Sequence, residues 1–135
     1  MSRIDKVRNK LTELNVDALL VTESKNLRYL ANFTGSAGVA IITATESYFV
    51  TDFRYTEQAA EQAVGFNIRI HKQPIMAEVN EILNENNVTK IAIEANQMNV
   101  ATYLQIKELF TAEIVETQGL VEKIREIKEP DELAS

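Results

Sequence analysis

One histidine and no cysteine stand in a chain of 135 residues, which narrows where chemistry could sit. His71 lies in an alternating stretch, out of phase with Ile68 and Ile70, and that phase predicts a surface position. As a metal ligand or general base it needs partners that the neighbouring sequence does not offer. No two histidines stand four apart, so a metal centre would have to be built mainly from carboxylates. The acidic residues, however, are mostly spread along helical faces as solubilising charge. Gly35-Ser36-Ala37-Gly38 has glycines of the kind that cradle a phosphate. It lacks the lysine and serine of a P-loop, and a strand follows it instead of a helix, so it reads as a turn. No serine sits in a nucleophile elbow.

The most chemically loaded cluster is Thr51-Asp52-Phe53-Arg54-Tyr55. In one reading Asp52 caps a helix, Arg54 is solvated and Tyr55 packs one turn on with Ala59. In the other, Asp52 and Arg54 form a fixed ion pair or ligand contact at a strand end, where open α/β sheets place their binding residues. A self-contained carboxylate hydrolase would need several acids converging there, and Asp52 alone obviously qualifies.

These residues depend on an alternation of helices and strands. Ile4, Val7, Leu11 and Leu14 recur at helical spacing after Ser2 and Asp5, an N-terminal capping pair. Residues 17–22 read as a buried strand. A short helix capped by Ser24 follows, with Leu27, Leu30 and Ala31 on one side. Residues 39–43 and 48–51 are close enough to form an antiparallel hairpin. Asp52 opens a helix that Gly65 ends, and residues 66–71 form a half-exposed strand. Pro74 suits the first turn of a helix carrying Ile75, Val79, Ile82 and Leu83. Residues 90–94 are a further strand, Asn99 caps a helix bearing Val100, Tyr103 and Leu104, and residues 113–117 form a last edge strand before a helix around Val121 and Ile124. The sum is a single α/β domain with a mixed sheet and helices on its faces.

Charge removes other classes. The net charge is −6, so nucleic acid and anionic membrane are poor partners. No apolar run approaches the ~20 residues that span a bilayer, and residues 2–6 lack the apolar stretch of a signal peptide. With no cysteine, these features point to a cytoplasmic protein. At the other end, Ile127-Lys128-Glu129-Pro130-Asp131-Glu132-Leu133 has proline and acids where a helix starts. Only a few residues follow, fewer than an isolated helix needs. The segment reads as a helix begun and not finished, the alternative being a frayed tail.

Several segments in order resemble the N-terminal domain of the creatinase, prolidase and aminopeptidase P family. Asn26-Leu27-Arg28-Tyr29-Leu30 is similar to its Asn-x-Arg-Tyr-Leu signature. Asn32-Phe33-Thr34-Gly35-Ser36 resembles its Gly-Phe-Thr-Gly-Ser run, with Asn32 in place of the usual glycine. Thr51-Asp52-Phe53-Arg54-Tyr55 with Gln58-Ala59, Ile91-Ala92-Ile93-Glu94, and Ile124-Arg125-Glu126-Ile127-Lys128 resemble three further family segments.

The resemblance implies a mixed, about six-stranded sheet with RNase H-like topology over residues 1–128. Residues 129–135 would then begin the first helix of a C-terminal metallopeptidase domain. In such enzymes that second domain binds two divalent metal ions, manganese, cobalt or zinc, and cleaves before proline. None of its five metal ligands can be assigned here, so this chain is expected to hold no catalytic residue and no metal. The implied partners are the C-terminal domain, a second subunit in a homodimer, and a proline-containing peptide. The loop carrying Phe33, Thr34, Gly35 and Ser36 is implied to rim the substrate pocket, Phe33 being otherwise a core aromatic. Asn26, Arg28, Tyr29, Asp52, Arg54 and Tyr55 are expected to be structural. A stand-alone module binding a small molecule or peptide is the competing expectation.

Overall fold

The computed structural model describes residues 2–35 and 37–126. Chain order is α1 (Arg3–Leu14), β1 (Ala18–Val21), α2 (Ser24–Ala31), β2 (Val39–Thr43), β3 (Ser47–Thr51), a 3₁₀ turn (Phe53–Tyr55) and α3 (Thr56–Gln62). Then come β4 (Asn67–Ile70), α4 (Ile75–Glu85), β5 (Lys90–Glu94), a second 3₁₀ turn (Ala95–Gln97), α5 (Val100–Leu109), β6 (Glu113–Thr117) and α6 (Leu120–Glu126). The strands form one six-stranded mixed sheet in the order β4-β3-β2-β1-β5-β6.

The expected hairpin is present, β2 pairing antiparallel with β3. β1 pairs antiparallel with β2 and parallel with β5. The β3–β4 and β5–β6 pairs are parallel. β2 alone therefore runs against the rest. The C-terminal ends of β1, β3, β4, β5 and β6 share one edge of the sheet with the start of β2.

Alternation along each strand sorts its side chains between two faces. Leu19, Val21, Ala40, Ile42, Phe49 and Ala92 pack on one side under α1, α2, α3 and α6. Leu20, Ile41, Val50, Ile91 and Ile93 pack on the other under α4 and α5. Both faces are covered, which is why β1 and β2 are continuous apolar runs buried at every residue.

Local chemistry sets the boundaries. Ser2 and Asp5 form the expected reciprocal capping box of α1. α2 is capped by the Glu23 carboxylate, not by Ser24, which is the first helical residue. Glu23 accepts the Asn26 backbone N–H at 2.9 Å, one residue earlier than the preference for serine suggested. Asn32 ends α2 with φ 58°. Asparagine tolerates this left-handed geometry, so its replacement of the family's usual glycine fits the turn. Pro74 stands at the N-cap of α4, just outside the helix it was expected to begin.

The largest departure is in α5. Asn99 caps it, but Val100 and Leu104 are 72% and 55% exposed, and Ile106 is its fully buried residue. Ile106 is joined by Tyr103 and Leu109 in packing against the core, so a 3-residue spacing, not the 100–104 pair, defines the inner face. Leu14, assigned to the apolar stripe of α1, is likewise 45% exposed. Residues 127–135, with the helix start and domain boundary expected there, lie outside the described residues.

β4 forms one edge, tied to α4 by Arg69. Its guanidinium donates to Glu78 and, in a fork, to both oxygens of Glu85 at 2.9 and 3.0 Å. Glu78 is only 8% exposed, so Arg69→Ala strands a nearly buried carboxylate. The expected loss is about 1–3 kcal/mol of stability, measured by urea unfolding at neutral pH; an unchanged midpoint would show that water replaces the guanidinium without cost.

Candidate functional site

The topology brings the polar segments of the sequence to one edge. Thr22 and Glu23 follow β1, the 32–38 loop enters β2, Asp52 follows β3, His71 follows β4, and Glu94 closes β5. This is the edge where open α/β sheets place their binding groups.

The 32–38 loop is anchored by aromatic packing. Phe33 is 2% exposed. Its ring lies 4.4 Å from that of Phe49 and meets Tyr55 edge-on at 5.6 Å. Gly35 is required by this packing: a Cβ there would lie 2.4 Å from Phe33 Cζ and 3.0 Å from a Tyr55 ring carbon. Gly38 is crowded in the same way by Phe49, at 2.6 Å. The close approach is thus to the protein's own rings. Thr34 is exposed, but its N–H donates to Gln62 Oε1 at 3.0 Å and its hydroxyl accepts from the Gln58 and Gln62 amides. Thr51 Oγ1 donates to the Ala37 carbonyl at 2.6 Å. Ser36 lies outside the described residues.

Beside this loop is an open cavity of about 220 Å³, lined by Ser24, Lys25, Arg28, Phe33, Thr34 and Gly35. Phe33 therefore borders the cavity while its side chain is buried in the core. Arg28 reaches the cavity from the exposed side of α2. Tyr29 is half-buried against the core, its ring 4.2 Å beneath the Arg3 guanidinium.

Asp52 combines the two roles considered for it. Its Oδ1 accepts the Arg54 backbone N–H at 3.0 Å and so caps the 3₁₀ turn. The same carboxylate takes the Arg54 side chain in a fork, Nε to Oδ1 at 3.0 Å and Nη2 to Oδ2 at 2.8 Å. Arg54 is thus paired as well as solvated, with its side chain 60% exposed. Tyr55 packs against the hydrophobic cluster to which Ala59 belongs. His71 is half-buried, with Nδ1 2.7 Å from the Gln73 carbonyl oxygen.

Asn26 is fully buried and lies at the centre of a polar network. Its Nδ2 donates to Glu94 Oε2 and, at 2.9 Å, to Glu122 Oε2. Its Oδ1 accepts from Arg125 Nη1 at 2.9 Å. Glu94 is 3% exposed, and its other oxygen accepts the N–H groups of Thr22 at 2.8 Å and Glu23 at 3.2 Å. Burial pushes the Glu94 carboxyl above the ordinary glutamate range, despite these donors. Periodicity and capping gave no hint that Glu122 and Arg125, which lie 96 and 99 residues from Asn26, would pair with it. Glu94 did leave a signal, as a carboxylate closing an otherwise apolar strand.

The donor set does not fit a metal pair. Among the described residues no group of three or more His, Cys, Asp or Glu side chains is placed to hold a metal ion. Both Glu94 oxygens already face N–H donors, and Arg125 is bound into the same network. Asp52 is no partner for Glu94, since their strands are three spacings apart, about 14 Å.

A family model described as Creatinase/Prolidase N-terminal domain matches residues 3–127. Among curated proteins, the uncharacterized peptidase YqhT of Bacillus subtilis (strain 168) is 36% identical over 132 residues, covering 97% of this chain and 37% of that protein. An Xaa-Pro dipeptidase from Bacillus anthracis superposes with a TM-score of 0.93 at 40% identity, over 98% of this chain and 37% of that one. The N-terminal domain of the cytoplasmic peptidase PepQ from Mycobacterium tuberculosis H37Rv gives 0.84 at 29% identity, over 91% of this chain and 98% of that one. The chain thus spans 37% of the length of the first two relatives.

Two outcomes follow from this geometry. Phe33→Ala should cost about 3–5 kcal/mol in denaturant unfolding, as for a buried aromatic; a much smaller loss would mean that the ring belongs mainly to the cavity. For Glu94, a carboxyl that holds its proton more tightly folded than unfolded stabilises at low pH. That contribution is lost as pH rises from about 4.3 through the raised folded value. Asp17, held low by Thr89, Asp52, held low by Arg54, and Glu85, held low by Arg69, have finished titrating by then. Stability should therefore fall as pH rises above the ordinary glutamate range and through the raised Glu94 value, and Glu94→Gln should flatten that fall in urea titrations.

Proposed function

The chain belongs to the creatinase/prolidase N-terminal domain family, and we propose that it serves as the non-catalytic N-terminal domain of a metal-dependent Xaa-Pro dipeptidase or aminopeptidase. The observation that carries this reading is the family match over residues 3–127, joined to a likeness covering 98% of this chain but 37% of an Xaa-Pro dipeptidase. In this reading the remaining length supplies the peptidase chemistry, including two divalent metal ions, manganese, cobalt or zinc. The described residues offer those ions no ligand set.

The domain's own work is mechanical. A sheet buried on both faces holds the 32–38 loop and the Asp52–Arg54 fork rigidly at one edge. From there they shape substrate access and contribute to a homodimer in the cytoplasm. Rigid support suits that task, because a positioned loop keeps its geometry when a peptide enters. Among the described residues no helix is long and apolar enough to cross a membrane.

A domain graft tests this. The chain alone should hydrolyse no Xaa-Pro dipeptide, and chelator should leave its melting temperature unchanged, since no ligand cluster contributes to its folding. Placed in the Bacillus anthracis dipeptidase in exchange for the matching segment, it should support Xaa-Pro hydrolysis. Hydrolysis by the isolated chain, or a folded, metal-loaded chimera without activity, would overturn the reading.

A further inference from the structure

Glu94 and Glu122 share one donor. The Asn26 Nδ2 group donates to Oε2 of Glu94 and, at 2.9 Å, to Oε2 of Glu122. The two hydrogens of one amide diverge, which leaves the acceptor oxygens roughly 5 Å apart. Asn26 is fully buried and Glu94 is 3% exposed, so two carboxylates meet where water screens them poorly. Arg125 fixes the amide in this orientation, its Nη1 donating to Oδ1 at 2.9 Å.

The charges of Glu94, Glu122 and Arg125 balance only when one carboxyl carries a proton. With both ionised, one negative charge is left over. Glu23 adds a further carboxylate nearby, turned to the Asn26 backbone N–H at 2.9 Å. Lys25 and Arg28 of α2 line the cavity beside the 32–38 loop. On α6, Lys123 lines a separate cavity with Lys10 and Glu13 of α1, and Glu126 is exposed. Lys6 stands one turn before Lys10 on α1. Gln97 donates to Glu122 at 3.3 Å, and Thr117 of β6 stands opposite Glu94; neither is charged. Lysine and arginine keep their charge from acid to neutral pH, so the carboxylates decide what changes.

Of the two acids, Glu122 is the one free to move. Glu94 closes a central strand, and its Oε1 is fixed by the N–H groups of Thr22 and Glu23 at 2.8 and 3.2 Å. Glu122 is half-buried on a helix of 7 residues, too short to persist without tertiary contacts. Leu120, Val121 and Ile124 are its buried side chains, and the Asn26 network is its polar tie to the sheet. An element held by so few contacts opens locally at a lower free energy than the central strands. Burial, and to a lesser extent the neighbouring Glu122, favours the neutral form of Glu94. Its proton is therefore lost above the ordinary glutamate range.

We propose that Asn26, Glu94 and Glu122 form a proton-controlled latch on α6. With one proton on the carboxylate pair the network is neutral and α6 is held against the sheet. With both carboxylates ionised, repulsion across the Asn26 amide turns Glu122 to solvent and α6 opens. The latch is closed at low pH and opens as pH rises, the direction set by a group that binds its proton more tightly in the folded state. Under the peptidase reading, α6 leads toward the remaining length and the latch sets how firmly this domain is joined to it. That consequence rests on the reading; the latch itself does not.

Amide hydrogen exchange and ¹³C NMR of the glutamate carboxyls, on the full chain from the ordinary glutamate range to mildly alkaline pH, test the latch. Protection of the Lys123, Ile124 and Arg125 amides, corrected for intrinsic rate, should fall about threefold or more as Glu94 ionises. It should lie below the protection of Leu20 and Ile91 in the central strands. The Glu94 and Glu122 carboxyl signals should shift together in that step, as coupled sites do. Glu122→Gln alters a half-buried side chain and keeps an oxygen acceptor for Asn26, so the fold survives. This variant should move the Glu94 titration toward the ordinary range and abolish the fall in α6 protection. The proposal is overturned if α6 protection stays constant across the series, or if it equals that of Leu20 and Ile91 at every pH. It is also overturned if Glu94 titrates alike with and without the Glu122 carboxylate. Exchange is read on the chain alone and the peptidase reading on the chimera, so the two fail separately.

Discussion

Glu94 places a carboxylate at the end of a central strand where solvent cannot reach it, and much of this edge is organised around satisfying it. Two N–H groups just after β1 and the Asn26 amide supply donors. A buried carboxylate left without such donors costs far more than the net gain of an ordinary hydrogen bond. The requirement joins β1, α2 and β5, and Asn26 passes it on to Glu122 and Arg125 of α6. A helix late in the chain is thereby registered on a strand and helix near its beginning.

At the other end of β1 and β5, the Asp17 carboxylate performs a similar task. It accepts the backbone N–H groups of Thr89 and Lys90 at 2.9 and 3.0 Å and the Thr89 hydroxyl at 2.7 Å. The parallel pairing of two strands far apart in sequence is thus clamped at both ends by carboxylates. Between the clamps the strands are apolar and interchangeable in kind. The polar ends therefore favour one register, a property that apolar burial alone specifies poorly.

The 32–38 loop follows a different rule. Its shape comes from aromatic rings that occupy the space glycine side chains would need, so Gly35 and Gly38 are demanded by Phe33 and Phe49. The loop is consequently rigid where it meets the core. Its described residues Phe33, Thr34 and Gly35 also border the cavity that Lys25 and Arg28 line.

The strands, the hairpin and most caps could be read from the sequence, because β1 and β2 are uninterrupted apolar runs and Ser2, Asp52 and Asn99 carry side chains that complete a helical or 3₁₀ turn locally. The ordered motifs also named the family, since each resembles a known segment without reference to distance in space. Local sequence could not decide which face of α5 turns inward, because Val100 and Leu104 are apolar and yet exposed; the choice came from the fit of Ile106 and Tyr103 against the core. Nor could it foresee the network around Asn26, whose partners lie 68 to 99 residues away. Periodicity and capping act over a few residues and are written in local order. Partnering of buried charge, and the solvent side left free for Arg28, arise only when distant segments meet at one edge of the sheet.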